Sequence, residues 1–318
     1  MKQTISIKML NTLCKGKDNL SGAAQERIRE YIRSQMVDCA FFVDKSGRKD
    51  VYYTVFGLML SYVFGVKVDC SETRTQLEIN KPDENDLIHY AAYMRSKMLL
   101  KLLEGNKVGI ILSRLFYTGE KTLPDFTRFP HDDPHSPYSV FILLSLLEDL
   151  GRRLNNKKEI LESLEFYHTT GGGYSNIARM EGAPVSPDDA LVNEPSRLKA
   201  PMAENEAVSM ATANATAAAL CIRGQLEGYS INGDVERLCD LQDSSGGFFA
   251  TAQSPVPDVL STATALFVLN CYKKEPLVSP GAFIEAHWLD SGGFAPTLLE
   301  DKSDIEYTFY GILALGTC

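Results

Sequence analysis

The sequence predicts an all-α fold of five to six helical pairs, arranged as two concentric layers in one domain over residues 1–318. Three observations predict it. A Gly-Gly-Phe turn, a loop of fixed length, an Asp and an apolar run recur along the chain. Amphipathic segments alternate with those apolar runs, and strand-type alternation is almost absent. Self-similarity at such a period marks a repeat architecture, in which each unit buries its apolar face on its neighbours.

Taken in order, GAAQERIREYIRSQM (22–36) is amphipathic, with apolar residues at three-to-four spacing and charges opposite. CAFFVDKSGRKDVYYTVFGLMLSYVFG (39–65) follows, with Phe41 nine residues before Asp50 and an apolar run behind it. ENDLIHYAAYMRSKMLLKLLEG (84–105) is helical by pattern but lacks the glycines, so one diverged or lost unit is expected near residues 85–117. In PDFTRFPHDDPHSPYSVFILLSLLEDLG (124–151), Tyr138-Ser139-Val140-Phe141 echoes Tyr53-Thr54-Val55-Phe56. NNKKEILESLEFY is the next amphipathic segment, and GGGYSNIARM (171–180) opens a further unit, which resumes at NATAAALCI (214–222) after an insertion.

The last two units are the clearest. GDVERLCDLQ leads into DSSGGFFATAQSPVPDVLSTATALFVL (243–269), and GAFIEAHWL into DSGGFAPTLLEDKSDIEYTFYGILALG (290–316). Phe248 precedes Asp258 by ten residues, as Phe294 precedes Asp304. Five copies are legible, with Thr54, Ser139, Asn214, Thr262 and Thr308 at the equivalent helix position, at intervals of 85, 75, 48 and 46 residues. The runs after each Asp are apolar nearly all round and form the inner layer, and the amphipathic segments form the outer one. Each Asp suits an N-cap, where a carboxylate accepts free amide protons at the positive end of the helix dipole. The glycine pair permits the turn from outer to inner helix.

Composition narrows the function. The chain is 44% hydrophobic and 23% charged, ordinary globular material. A net charge of −9 argues against nucleic acid and against an anionic membrane surface. The N-terminal stretch has no signal-peptide core, and no run approaches the roughly 20 apolar residues of a membrane span. Seven cysteines without CxxC spacing read as reduced thiols of a cytoplasmic protein.

The GGF–x9–D unit with its apolar helix resembles the repeat of protein prenyltransferase β-subunits and squalene/terpenoid cyclases, over roughly residues 20–318. The resemblance implies an α/α toroid with a central cavity for an isoprenoid chain, and a partner subunit as in the eukaryotic transferases. Protein prenyltransferases hold a catalytic zinc through Asp and Cys of a D-x-C segment and a His at the start of the next inner helix. Here Asp258 matches the Asp, but Leu260 stands at the Cys position and Tyr307 at the His position, so zinc is not expected. Without it, cysteine prenylation by the usual mechanism is not expected either.

The family's diphosphate-binding cations are missing from residues 249–255, whereas Lys45, Arg48 and Lys49 flank a helix N-terminus and form a candidate phosphate site. The D-x-D-D motif of the cyclases is absent; His131-Asp132-Asp133 and Pro187-Asp188-Asp189 are the nearest acidic pairs, in proline-rich loops. Tyr53, Tyr138, Tyr307 and Tyr310, with Tyr52, Phe56, Phe141 and Phe309, are candidate cavity residues, since aromatic faces suit apolar chains and cations. Asp258 and Asp304 are candidate acid or base groups beside Asp50 and Glu306, because burial near an apolar cavity raises a carboxyl pKa. Residues 179–206 form an aperiodic insertion, read as a lid over the cavity mouth. The expected function is prenyltransferase-like binding of an isoprenoid or other apolar chain, with transfer or cyclisation that needs no zinc. The alternatives are a non-catalytic lipid-binding or protein-interaction toroid and a glycan-processing one.

Overall fold

A computed structural model describes residues 3–105, 136–152, 157–178 and 210–318. The insertion at 179–206 and the acidic pairs at 132–133 and 188–189 lie outside the described residues. Among these residues the chain is mostly helical: α1 Ile5–Asp18, α2 Gly22–Ser34, α3 Val51–Phe64, α4 Cys70–Ile79, α5 Leu87–Leu103 and α6 Pro137–Asp149. They are followed by α7 Lys157–Glu165, α8 Ala213–Glu227, α9 Gly233–Cys239, α10 Val259–Tyr272, α11 Gly281–Ala286 and α12 Ile305–Leu315. A two-residue antiparallel hairpin pairs β1 (Met36–Val37) with β2 (Phe41–Phe42), turning through Asp38 and Cys39, both at φ 55°.

Six apolar helices pack in a closed order. α3 meets α5, α5 meets α6, α6 meets α8, α8 meets α10, α10 meets α12, and α12 returns to α3. The expected diverged unit is therefore present as α5. Amphipathic helices lie outside: α2 on α3, α4 on α5, α7 on α8, α9 between α8 and α10, and α11 on α12. The last glycine turn meets the first outer helix. A Cβ on Gly292 would sit 2.6 Å from the Arg27 carbonyl oxygen of α2, and its φ of +94° is one that side chains resist.

Each inner helix starts the same way. Asp50, Asp86, Asp258 and Asp304 accept the backbone N–H three residues on, as do the hydroxyls of Ser136 and Thr212. Four residues after the cap, Thr54, Thr216, Thr262 and Thr308 each accept a buried backbone N–H, from Phe42, Tyr174, Phe248 and Phe294 at 3.2, 2.9, 2.8 and 3.2 Å. Three expectations of register are corrected by these bonds. Phe42, not Phe41, is the counterpart of Phe248. Thr216, not Asn214, is the counterpart of Thr262, because Thr212 caps α8 and sets its start two residues later than the Asp pattern implied. Ser139 stands three residues after its cap and Thr54 four, so those two are not equivalent. The recurring Phe also explains a small residue seven after the cap: a Cβ on Gly57 or Gly311 would fall 2.3 Å from the Phe42 ring or 2.4 Å from the Phe294 ring.

The N-terminal helix α1 has no counterpart in the repeat. It lies across the C-terminal ends of the inner helices. Lys17 Nζ donates to the Val63 carbonyl of α3 and Asn19 Nδ2 to the Leu315 carbonyl of α12. Ser6 Oγ donates to Asp149 of α6 at 2.6 Å, and Lys8 Nζ to the Tyr229 hydroxyl at 2.7 Å, just beyond α8. Polar groups on α1 thus meet carbonyls and carboxylates where unpaired carbonyls accumulate. Gly16 and Gly316 let the backbones of α1 and α12 touch.

Candidate functional site

The caps fix which side chains look inward. The residue two after each cap is Tyr52, Ile88, Tyr138, Asn214, Leu260 or Glu306, and the residue six after is Phe56, Ala92, Ile142, Ala218, Thr264 or Tyr310. Four residues of a helix bring a side chain back to the same face. Eleven of these twelve side chains line two adjoining cavities that share Met9, Tyr52, Tyr138, Phe141 and Tyr310. Glu306, the twelfth, sits directly behind Tyr52. The larger cavity has a volume of about 250 Å³ and the smaller about 70 Å³. Met9 of α1 contributes to both, on the side of the inner helices' C-terminal ends.

The walls are mainly apolar, with polar groups at the helix N-termini and, in the smaller cavity, Ser145 and Arg95, which pairs with Asp149 at 3.4 Å. The Tyr52 hydroxyl donates to Glu306 Oε1 at 2.8 Å. Tyr138 and Tyr310 line both cavities together with Tyr52. Burial pushes the Glu306 carboxyl above the usual glutamate range, opposed by the Tyr52 hydrogen bond and by Lys45 and reinforced by Asp304. Burial raises the phenols of Tyr52, Tyr138 and Tyr310 above the ordinary tyrosine value. Asn176 Oδ1 accepts the Tyr138 backbone N–H at 3.1 Å, and the Thr264 hydroxyl lies 3.0 Å from Asn214 Oδ1.

The remaining expected site residues take different places. Asp304 is buried; its Oδ1 caps Tyr307 N–H at 2.7 Å, and its Oδ2 lies 3.7 Å from Lys45 Nζ. Asp258 spends both oxygens on Ser261, at 2.7 Å to its N–H and 2.7 Å to its hydroxyl. Burial raises both carboxyls above the usual aspartate range. Lys45 Nζ also lies over the Tyr307 ring, 4.7 Å from its centre. Arg48 is held by Asp44 at 2.9 Å and Lys49 by Asp38 at 3.0 Å, so the structure brings only Lys45 of the three cations to the buried carboxyls. Tyr53 packs edge-on against Tyr52 and, like Tyr307, is not among the cavity-lining residues.

Leu260 faces the cavity, while Tyr307 is turned away towards Lys45. Among the described residues no three His, Cys, Asp or Glu side chains converge as a metal site, and no helix is long and apolar enough to cross a membrane. Asn176 and Asn214 were missed by sequence reasoning: the first lies in an irregular loop, and the second was assigned a register two residues away. Comparison of the chain with protein-family models, with curated proteins and with solved structures finds no match.

Proposed function

We propose that the chain is an α/α toroid whose central cavity takes an isoprenoid or another apolar chain, and that it does so without zinc. The observation that carries this reading is the cavity wall. Side chains from all six inner helices, at two positions set by their caps, surround apolar space closed off by Met9 of α1. At about 250 Å³, the main cavity is near the lower end of ligand sites, which run to roughly 300–1,000 Å³, so a short chain suits it. Aromatic rings and methyl groups make the contact favourable in proportion to the apolar area removed from water.

The polar end limits the chemistry available. Glu306, held towards its protonated form by burial, reaches the cavity through the Tyr52 hydroxyl. Acid–base chemistry on a bound chain is therefore the catalytic version of this function, and simple binding the non-catalytic version. Turnover assays with short-chain prenyl alcohols and alkenes separate the two.

Filling the space tests the binding function. Ala218 lines the cavity and is 6% exposed. Ala218→Phe should abolish uptake of a neutral solvatochromic dye that the wild-type protein binds. Thr264→Leu, on the neighbouring helix α10, should also weaken uptake. Unchanged uptake in both variants, with folding verified by circular dichroism, would contradict the proposal.

A further inference from the structure

Resting on that cavity reading, we infer that the bound chain ends in an uncharged oxygen function, an alcohol or carbonyl, and not in a diphosphate or other anion. The donors of the site carry the inference. Asn176, exposed at the edge of the cavity, spends its Oδ1 on the Tyr138 N–H, which leaves its amide nitrogen free to donate there. Asn214, half-buried on the same wall, takes the Thr264 hydroxyl on its Oδ1 and keeps its amide nitrogen as a second donor. Opposite them, the Tyr52 hydroxyl directs its one hydrogen to Glu306, so its oxygen keeps a lone pair for a ligand O–H. A hydroxyl accepts from an amide and donates to a phenol oxygen, and a carbonyl uses the amides alone.

The same end of the cavity is poorly built for an anion. Helix N-termini cradle phosphates when their amides are free. Here one amide at each of these helix starts already donates to Asp50, Ser136, Thr212, Asp258 or Asp304. Lys45, the cation nearest the buried carboxyls, pairs with Asp304. A phosphate at the phenols would meet Glu306 and Asp304 and would lower neither of their desolvation costs.

The test is competition against Nile red bound to the full chain, using 1-octanol, octylamine, octyl phosphate and octanoate. The expected result is displacement by 1-octanol at concentrations lower by about tenfold or more than those of the three charged compounds, since a charged head has to be desolvated unpaired. Asn176→Asp keeps the acceptor for the Tyr138 N–H and deletes the amide donor; it should weaken 1-octanol by a larger factor than it weakens Nile red, each affinity being measured on the same variant. Octyl phosphate, octanoate or octylamine matching 1-octanol would overturn the inference while leaving the cavity reading intact. An alcohol preference undiminished in Asn176→Asp and Asn214→Leu alike would overturn the assigned donors. Failure of Nile red and of all four compounds to bind would sink the cavity reading itself.

Discussion

The Tyr52 hydroxyl donates to Glu306 Oε1 at 2.8 Å, joining two residues that stand at the same place in the first and last repeats. Each is two residues beyond a capping Asp, one at the start of α3 and one at the start of α12. The bond crosses the joint where the helix order closes, and it sets a buried carboxyl behind the cavity wall.

Removing the phenol oxygen should be costly. Tyr52→Phe leaves the Glu306 carboxyl short of a partner in a buried setting, a loss of about 1–3 kcal/mol. Urea unfolding at neutral pH measures it. A cost within error of zero would mean that the bond contributes nothing to closing the helix order.

The pH dependence follows from the direction of the Glu306 shift. Its folded pKa lies above the ordinary value of 4.5, so the folded state holds the proton more tightly than the unfolded chain. The associated stability is complete below pH 4.5 and is lost as the pH rises through the folded pKa. Asp258 and Asp304 act in the same direction from their ordinary 3.8. Glu306→Gln should therefore be more favourable, relative to the wild type, at pH 7.5 than at pH 4.5. Unfolding free energies of both proteins at the two pH values give the sign.

The threonine four residues after each cap predicts a graded pair. Thr262→Val removes the acceptor of the buried Phe248 N–H and should cost about 1–3 kcal/mol. Thr262→Ser keeps the hydroxyl and should lose much less. A Thr262→Ser variant as destabilised as Thr262→Val would mean that packing of the methyl group matters as much as the hydroxyl.

Much of this fold is legible because its devices are local. A capping Asp, a threonine on the next turn and a glycine pair are each set by backbone groups a few residues away, so they recur in the sequence wherever the chain turns inward. The reading slipped where another residue does the same work. Thr212 and Ser136 accept amide protons as Asp does, and the register of α8 moved by two residues while Ser139 fell out of line with Thr54. Helix α1 was invisible for a different reason: its role depends on carbonyls at the far ends of α3 and α12, which no local pattern records. At the site, Tyr138 and Tyr310 were legible as aromatic residues near helix starts. Asn176 was not, since only the fold carries it to Tyr138.

The small residue seven after the cap predicts an overpacking effect. Gly311→Ala places a methyl group 2.4 Å from the Phe294 ring, and displacing that ring should cost about 1–3 kcal/mol. Adding Phe294→Leu should recover part of the loss. Thermal unfolding of the single and double variants checks the coupling, and strict additivity would contradict it.

The central claim is that the inner helices enclose a site for an apolar chain, and native mass spectrometry of the purified protein, with metal analysis of the same sample, tests it most directly. The account predicts a mass increment that is released on denaturation and identified as a neutral isoprenoid or alkyl compound, without stoichiometric zinc. Stoichiometric zinc, or a protein that stays at its bare chain mass after incubation with short-chain prenyl alcohols, would contradict it.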